Sequence, residues 1–256
     1  MSNGRRRELV AAIEASPDLA DTYLVLADVL QGLGDPRGEA IVRWHGGTTG
    51  VRIEIEKQLG PPPPRHGDVE WFCGFIRRAR TILDEDEPEA FRAYLDHPSL
   101  QFVQHLDLDV PGSPYPEERQ WVIEHVASRL RPTLRTLAIN SYVRGGSEPP
   151  IGDLDLAPLW ARLPGLTSLR IHARFVTPGS LLSNRLSSLM IDGEVDGDAM
   201  IPLLNGTMPA LRELSLHDVG EPFAERFKDS ALAAQLTKVE LTRNDPADDR
   251  YAHTGE

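Results

Sequence analysis

From residue 103 to the C-terminal region, apolar positions recur in one short pattern: an apolar residue, two others, an apolar residue, one other, an apolar residue. The copies are Val103-x-x-Leu106-x-Leu108, Leu134-x-x-Leu137-x-Ile139, Leu166-x-x-Leu169-x-Ile171, Leu186-x-x-Leu189-x-Ile191, Leu211-x-x-Leu214-x-Leu216 and Leu236-x-x-Val239-x-Leu241. Their central residues are 31, 32, 20, 25 and 25 positions apart. Alternation within each copy sends the paired apolar side chains to one face of a strand and the residue between them to the other. A stack of strand-turn-helix units follows, with outer helices expected over Glu117 to Leu130, Leu154 to Leu163, Asp198 to Asn205 and Pro222 to Ala234, and a single turn over Thr177 to Ser183. Two loops, Pro111 to Pro114 and Arg144 to Pro150, account for the two long spacings.

Ahead of the repeats the apolar period becomes helical. Helices are expected over Arg5 to Ala15, Asp21 to Gln31, from Asp35-Pro36 through Trp44, and Val51 to Leu59, with Asp35 as the cap and Pro36 in the first turn of the third. Pro61 to Pro64 reads as a stiff spacer. Val69 to Ala79 reads as a strand or capping segment that covers the first layer of the stack, and Glu87 to Leu95 as a helix whose acidic approach, Asp84 to Glu87, suits a helix start. The fold class expected is α/β: a leucine-rich repeat solenoid of about six parallel strands with outer helices, preceded by a small all-helical N-terminal domain, since the spacings bracket the period of leucine-rich repeats. The corresponding bounds are 1–60 for the helical domain, 61–100 for linker and cap, 101–244 for the repeats and 245–256 for a disordered polar tail.

Charge narrows the function classes. A net charge of −12 and a pI near 5.1 argue against general nucleic-acid or anionic-membrane binding, and the Arg5 to Arg7 cluster is too short to reverse that. Cys73 is the only cysteine, which excludes an intrachain disulfide and fits a reducing compartment; its aromatic neighbours predict a buried, inert thiol. With no secretion signal or membrane-length apolar run in the sequence, cytoplasmic residence is expected.

Leu26-Ala27-Asp28-Val29-Leu30 followed by Gly34-Asp35-Pro36-Arg37-Gly38-Glu39 resembles the bacterial repeat-companion domain, which commonly precedes leucine-rich repeats in myxobacteria and planctomycetes. Trp71 to Arg80 is similar to the block that joins that domain to the repeats. Leu26 and Val29 stand where the family often has Tyr and Trp. The resemblance implies architecture rather than activity, and it leaves Asp28, Asp35, Arg37 and Glu39 either pairing the helices or contacting a partner.

Aligning the copies writes out the displayed face. The column between the paired apolar residues is Asp107, Ala138, Arg170, Met190, Ser215 and Glu240; the column after them is Asp109, Asn140, His172, Asp192, His217 and Thr242. A mixed polar face of this kind points to a non-enzymatic scaffold or adaptor that binds a protein partner through Asp107, Asp109, Asn140, Arg170, His172, Met190, Asp192, Glu213, Ser215, His217, Lys238 and Glu240. Neither nucleic acid nor membrane is an expected partner, and no cofactor, metal or catalytic residue is assigned. Two alternatives remain. The chain could be an acidic, immunity-type protein that neutralises a co-encoded partner, or the adjacent His172, Asp192 and His217 could bind a metal or support hydrolysis.

Overall fold

The computed structural model describes residues 3–59, 68–82, 88–111, 120–142, 153–179, 183–195, 200–204, 208–217, 219 and 221–242. The Pro61 to Pro64 spacer, Asp84 to Glu87, the Arg144 to Pro150 loop, the Pro111 to Pro114 loop beyond Pro111 and the 245–256 tail lie outside the described residues. Among those described, no helix is long and apolar enough to cross a membrane.

Four helices begin the chain: α1 (Asn3–Ala15), α2 (Ala20–Gly32), α3 (Arg37–His45) and α4 (Val51–Leu59). The Gly-Asp-Pro-Arg-Gly-Glu run has a local physical role at most of its positions. Gly34 takes φ 71 and ends α2 by donating to Gln31 O at 3.0 Å, while the Asp35 N–H reaches Leu30 O at 2.9 Å, the two bonds of a Schellman stop. The Asp35 Oδ1 heads α3 by accepting from the Arg37 N–H at 3.0 Å, and its carboxylate also binds the Arg37 guanidinium. Gly38 lets α2 and α3 touch, because a Cβ there would lie 2.7 Å from both Ala27 O and Gln31 N.

The segment expected to be a strand or cap is a hairpin, β1 (Val69–Phe72) and β2 (Phe75–Ile82), turned by Cys73 and Gly74 at φ 47 and 77. Its turn is plugged into the helices. Phe72, Cys73 and Phe75 share a core with Ile13, Tyr23, Leu26, Leu30, Ile41 and Phe102, and the Tyr23 ring meets Phe72, Phe75 and Phe102 at 5.6, 5.9 and 5.6 Å. Burial pushes the Cys73 thiol up to about 12, the inert sulfur that its neighbours predict.

The rest is a mixed α/β body around a mostly parallel sheet. Its further strands are β3 (His105–Pro111), β4 (Thr136–Tyr142), β5 (Asp153–Asp155), β6 (Ser168–Thr177), β7 (Ser188–Val195), β8 (Glu213–Leu216) and β9 (Lys238–Leu241). The order is β1-β2-β3-β4-β6-β7-β8-β9, with β5 beside the far end of β6. Leu106, Leu137, Leu169, Leu189, Leu214 and Val239 are register partners from strand to strand. The apolar columns pack beneath α5 (Pro88–Leu95), α6 (Gln120–Arg129), α7 (Ala157–Arg162), α8 (Ile201–Leu204), α9 (Glu221–Lys228) and α10 (Ala231–Gln235) in one continuous core. Hydroxyls just ahead of the strands tie consecutive units together: Thr167 Oγ1 donates to Arg135 O, Ser187 Oγ to Thr167 O and Thr237 Oγ1 to Arg212 O, at 3.0, 2.9 and 3.1 Å.

Several elements depart from expectation. Residues 153–155 are strand, since Leu154 pairs with Val176, and the helix expected from Leu154 starts only at Ala157, whose N–H donates to Asp155 Oδ1 at 2.9 Å. The helix expected over Pro222 to Ala234 is two, because Ser230 caps a fresh helix by accepting from the Ala233 N–H at 3.1 Å. Thr177 closes β6, and residues 180–182 of the turn expected over Thr177 to Ser183 lie outside the described residues. The parallel run also gains a strand: in β2, Ile76, Ala79 and Thr81 are buried in the positions of Val103, Leu106 and Leu108, and Ala79 pairs with Leu106.

Candidate functional site

The sheet face away from the helices carries three side-chain columns. The first is His105, Thr136, Ser168, Ser188, Glu213 and Lys238, and the second is Asp107, Ala138, Arg170, Met190, Ser215 and Glu240, each in register across β3, β4, β6, β7, β8 and β9. In the third, Asp109 pairs with Asn140 and His172 with Asp192. Alternation along each strand brings all twelve sequence-predicted residues to this one face, but they divide into groups with different chemistry.

At the β2 end the acids are already engaged. Arg80 donates through Nε and Nη2 to Asp109 Oδ2 at 2.9 and 2.8 Å, and Asn140 Nδ2 donates to Asp107 Oδ1 at 2.6 Å and to Asp109 Oδ1 at 3.0 Å. Asp109 is buried, so it organises Arg80 and Asn140 rather than meeting a partner itself, against the expectation that it is displayed. The hydrogen bond that Arg80 donates to Asp109, then the charges of Asp109 and Asp107, raise the Arg80 pKa. His105 is pushed down by burial and by Arg78, Arg77 and Arg135, which keeps the imidazole neutral near pH 7.

The centre is different. Thr136, Ala138, Ser168, Ser188 and Met190 make a small, uncharged floor, and Arg170 rises from it exposed, with no hydrogen bond or ion pair among the described residues. Ala138 and Met190 flank it as its register partners on either side.

At the β9 end, His217 Nδ1 lies 2.9 Å from Asp192 Oδ1, and Ser215 Oγ lies 3.4 Å from His217 Nε2 and 3.3 Å from Glu240 Oε2. The order carboxylate, imidazole, hydroxyl matches a nucleophile relay. The face gives it little else: the hydroxyl proton is shared with Glu240, and the ladders on both sides of β8 occupy backbone N–H groups that a developing oxyanion would need. His172 stands beside Asp192 in register without bonding to it, and among the described residues no three His, Cys, Asp or Glu side chains converge on a metal position.

No protein-family model matches this chain, and no curated protein or solved structure is significantly similar to it.

Beyond the sheet face, the motif residues split. Arg37, which is 6% exposed, binds Asp35, donates to Pro98 O at 3.2 Å and lies 5.6 Å from the Phe75 ring centroid, so it fastens the helices to the sheet. Asp18 makes a second fastening by accepting from Arg77, Arg135 and Gln104 at 2.7, 2.9 and 3.3 Å. Burial raises the Asp18 carboxyl, but these donors outweigh it and hold it below its usual range. Asp28 and Glu39 are exposed and make no such bond among the described residues. Sequence reasoning missed Arg80. The signal was present in Ile76-x-x-Ala79-x-Thr81, 27 residues ahead of the first recognised copy, with Ala and Thr standing where the other copies have large aliphatic residues.

Proposed function

We propose that this chain is a leucine-rich repeat adaptor of the repeat-companion type, which binds a protein partner through the open face of its sheet and performs no chemistry of its own. The in-register apolar columns, the hydroxyl ties between units and the structural use of Asp35, Arg37 and Gly38 support that architecture. The observation that carries the function is Arg170: a cation with no ion pair among the described residues, at the centre of a small, neutral floor, beside Met190. Arginine beside an apolar contact is a common anchor of protein interfaces, and its planar fork favours a carboxylate. The partner should present an Asp, Glu or C-terminal carboxylate next to an apolar side chain. The engaged acids around Arg80 would frame this contact and set orientation more than affinity.

The test is affinity capture from the native host with mass spectrometry, comparing wild type with Arg170→Glu/Met190→Ser, both residues being far from the helical fastening. A protein retained by wild type and lost with the double variant, at unchanged thermal stability, is expected. Equal capture by both would refute the central anchor.

A further inference from the structure

Among the described residues, β9 stands at the edge of the sheet with its apolar face open. Leu214 in β8 is 1% exposed, whereas its register partner Val239 in β9 is 43% exposed, and Lys238 and Glu240 are exposed on the opposite face. Among the described residues the ladder uses one side of β9: the Lys238 N–H donates to Arg212 O and the Thr242 N–H to Leu216 O, both at 3.1 Å. Since N–H groups alternate in direction along a strand, those of Val239 and Leu241 point outward from the sheet edge. Such an edge is a template for another strand. The opposite edge is blunted, because β1 is short and its register with β2 shifts between Glu70 and Trp71.

We propose that β9 pairs with β9 of a second copy of this chain, antiparallel about a two-fold axis at Val239. Charge selects this arrangement. With Val239 opposite Val239 of the second copy, the two residues exchange both backbone hydrogen bonds, and Lys238 falls directly opposite Glu240 of the other copy, twice by symmetry. These are non-hydrogen-bonded positions, where facing side chains come closest. A parallel, in-register pairing would instead set Lys238 against Lys238 and Glu240 against Glu240. The antiparallel contact is self-complementary and closed, so it ends at a dimer rather than growing into a fibre. It covers Val239, joins two sheets edge to edge, and moves Lys238 and Glu240 from the partner-binding face into the dimer contact. Lys238 is available for this, having no ion pair among the described residues.

Sedimentation equilibrium of the full chain, from micromolar to sub-millimolar concentration, tests the proposal. Wild type is expected to self-associate to a dimer. Lys238→Glu sets like charges against each other at both symmetric pairs and should weaken association roughly tenfold or more, as should Glu240→Lys. The double reversal Lys238→Glu/Glu240→Lys restores complementarity and should recover the wild-type constant. Val239→Pro removes an outward N–H without breaking a bond to β8 and should also dissociate the dimer. A monomer at every concentration overturns the proposal, as does a dimer whose constant ignores the charges at 238 and 240. Hydrogen exchange showing Val239 and Leu241 amides already protected in a monomer would overturn it too, by placing another segment on the edge.

Discussion

Removing the Arg37 guanidinium should unfasten the helices from the sheet, at a cost that can be worked from its contacts. The Asp35–Arg37 pair is 2.5 Å long with side chains 20% and 7% exposed, and breaking a buried pair by deleting one partner costs about 3–5 kcal/mol. Arg37→Ala also removes one of two donors to the Pro98 carbonyl, which keeps the Gln101 N–H at 3.4 Å, about 1 kcal/mol, and removes the contact over Phe75, about 0.5–1 kcal/mol. These losses share one group and do not add. Asp35 also keeps enough exposure to recover water, so about 3 kcal/mol is expected. At about 2–4 °C per kcal/mol for a chain of this size, calorimetry should show a fall of about 6–12 °C. Arg37→Lys keeps the charge but loses the fork that reaches Asp35 and Pro98 together, so it should recover no more than half. Arg37→Ala/Asp35→Ala should lose less than the sum of the single changes. A loss under about 1 kcal/mol for Arg37→Ala, or a fully stable Arg37→Lys, would refute the fastening role assigned to this side chain.

Two further outcomes follow from the same joint. Gly38→Ala should destabilise by about 1–3 kcal/mol in urea unfolding, because the new Cβ meets backbone of α2, whereas Gly32→Ala, with nothing within 4 Å, should be neutral or stabilising by about 0.5–1 kcal/mol. Burial raises the Asp18 and Asp35 carboxyls, but hydrogen bonds, from Gln104 and Arg135 to Asp18 and from Arg37 to Asp35, hold both below the ordinary 3.8. Their stabilisation is therefore fully present above that value and lost as pH falls through the lower folded pKa. Urea midpoints should be flat in this respect from neutral pH to about pH 5 and drop below about pH 4, with a shallower drop in Asp18→Asn/Asp35→Asn.

How much of this was legible in the sequence depends on whether a residue's role is set by its own strand or by a neighbour. The six aliphatic copies announce themselves, because a two-residue alternation needs only local geometry, and the structure pairs their central residues one to one. The copy in β2 escapes the same test, since Ala79 and Thr81 fill buried positions as small side chains under a different neighbour, the hairpin that plugs into the helices. The residues expected on the displayed face do share one side of the sheet, but that side is not a uniform surface. Nothing within β3 says that Asp109 is taken up by Arg80, a residue 29 positions earlier, or that Asn140 bridges two acids of the adjacent strand. Arg170 is the converse case: its neighbours across the sheet are Ala138 and Met190, neither of which can pair with it, and it has no ion pair among the described residues. Cross-strand pairing therefore sorts this face into acids that hold its frame and a cation that, among the described residues, has no counter-charge; under the proposed function, that cation is the feature a partner would answer with an anion.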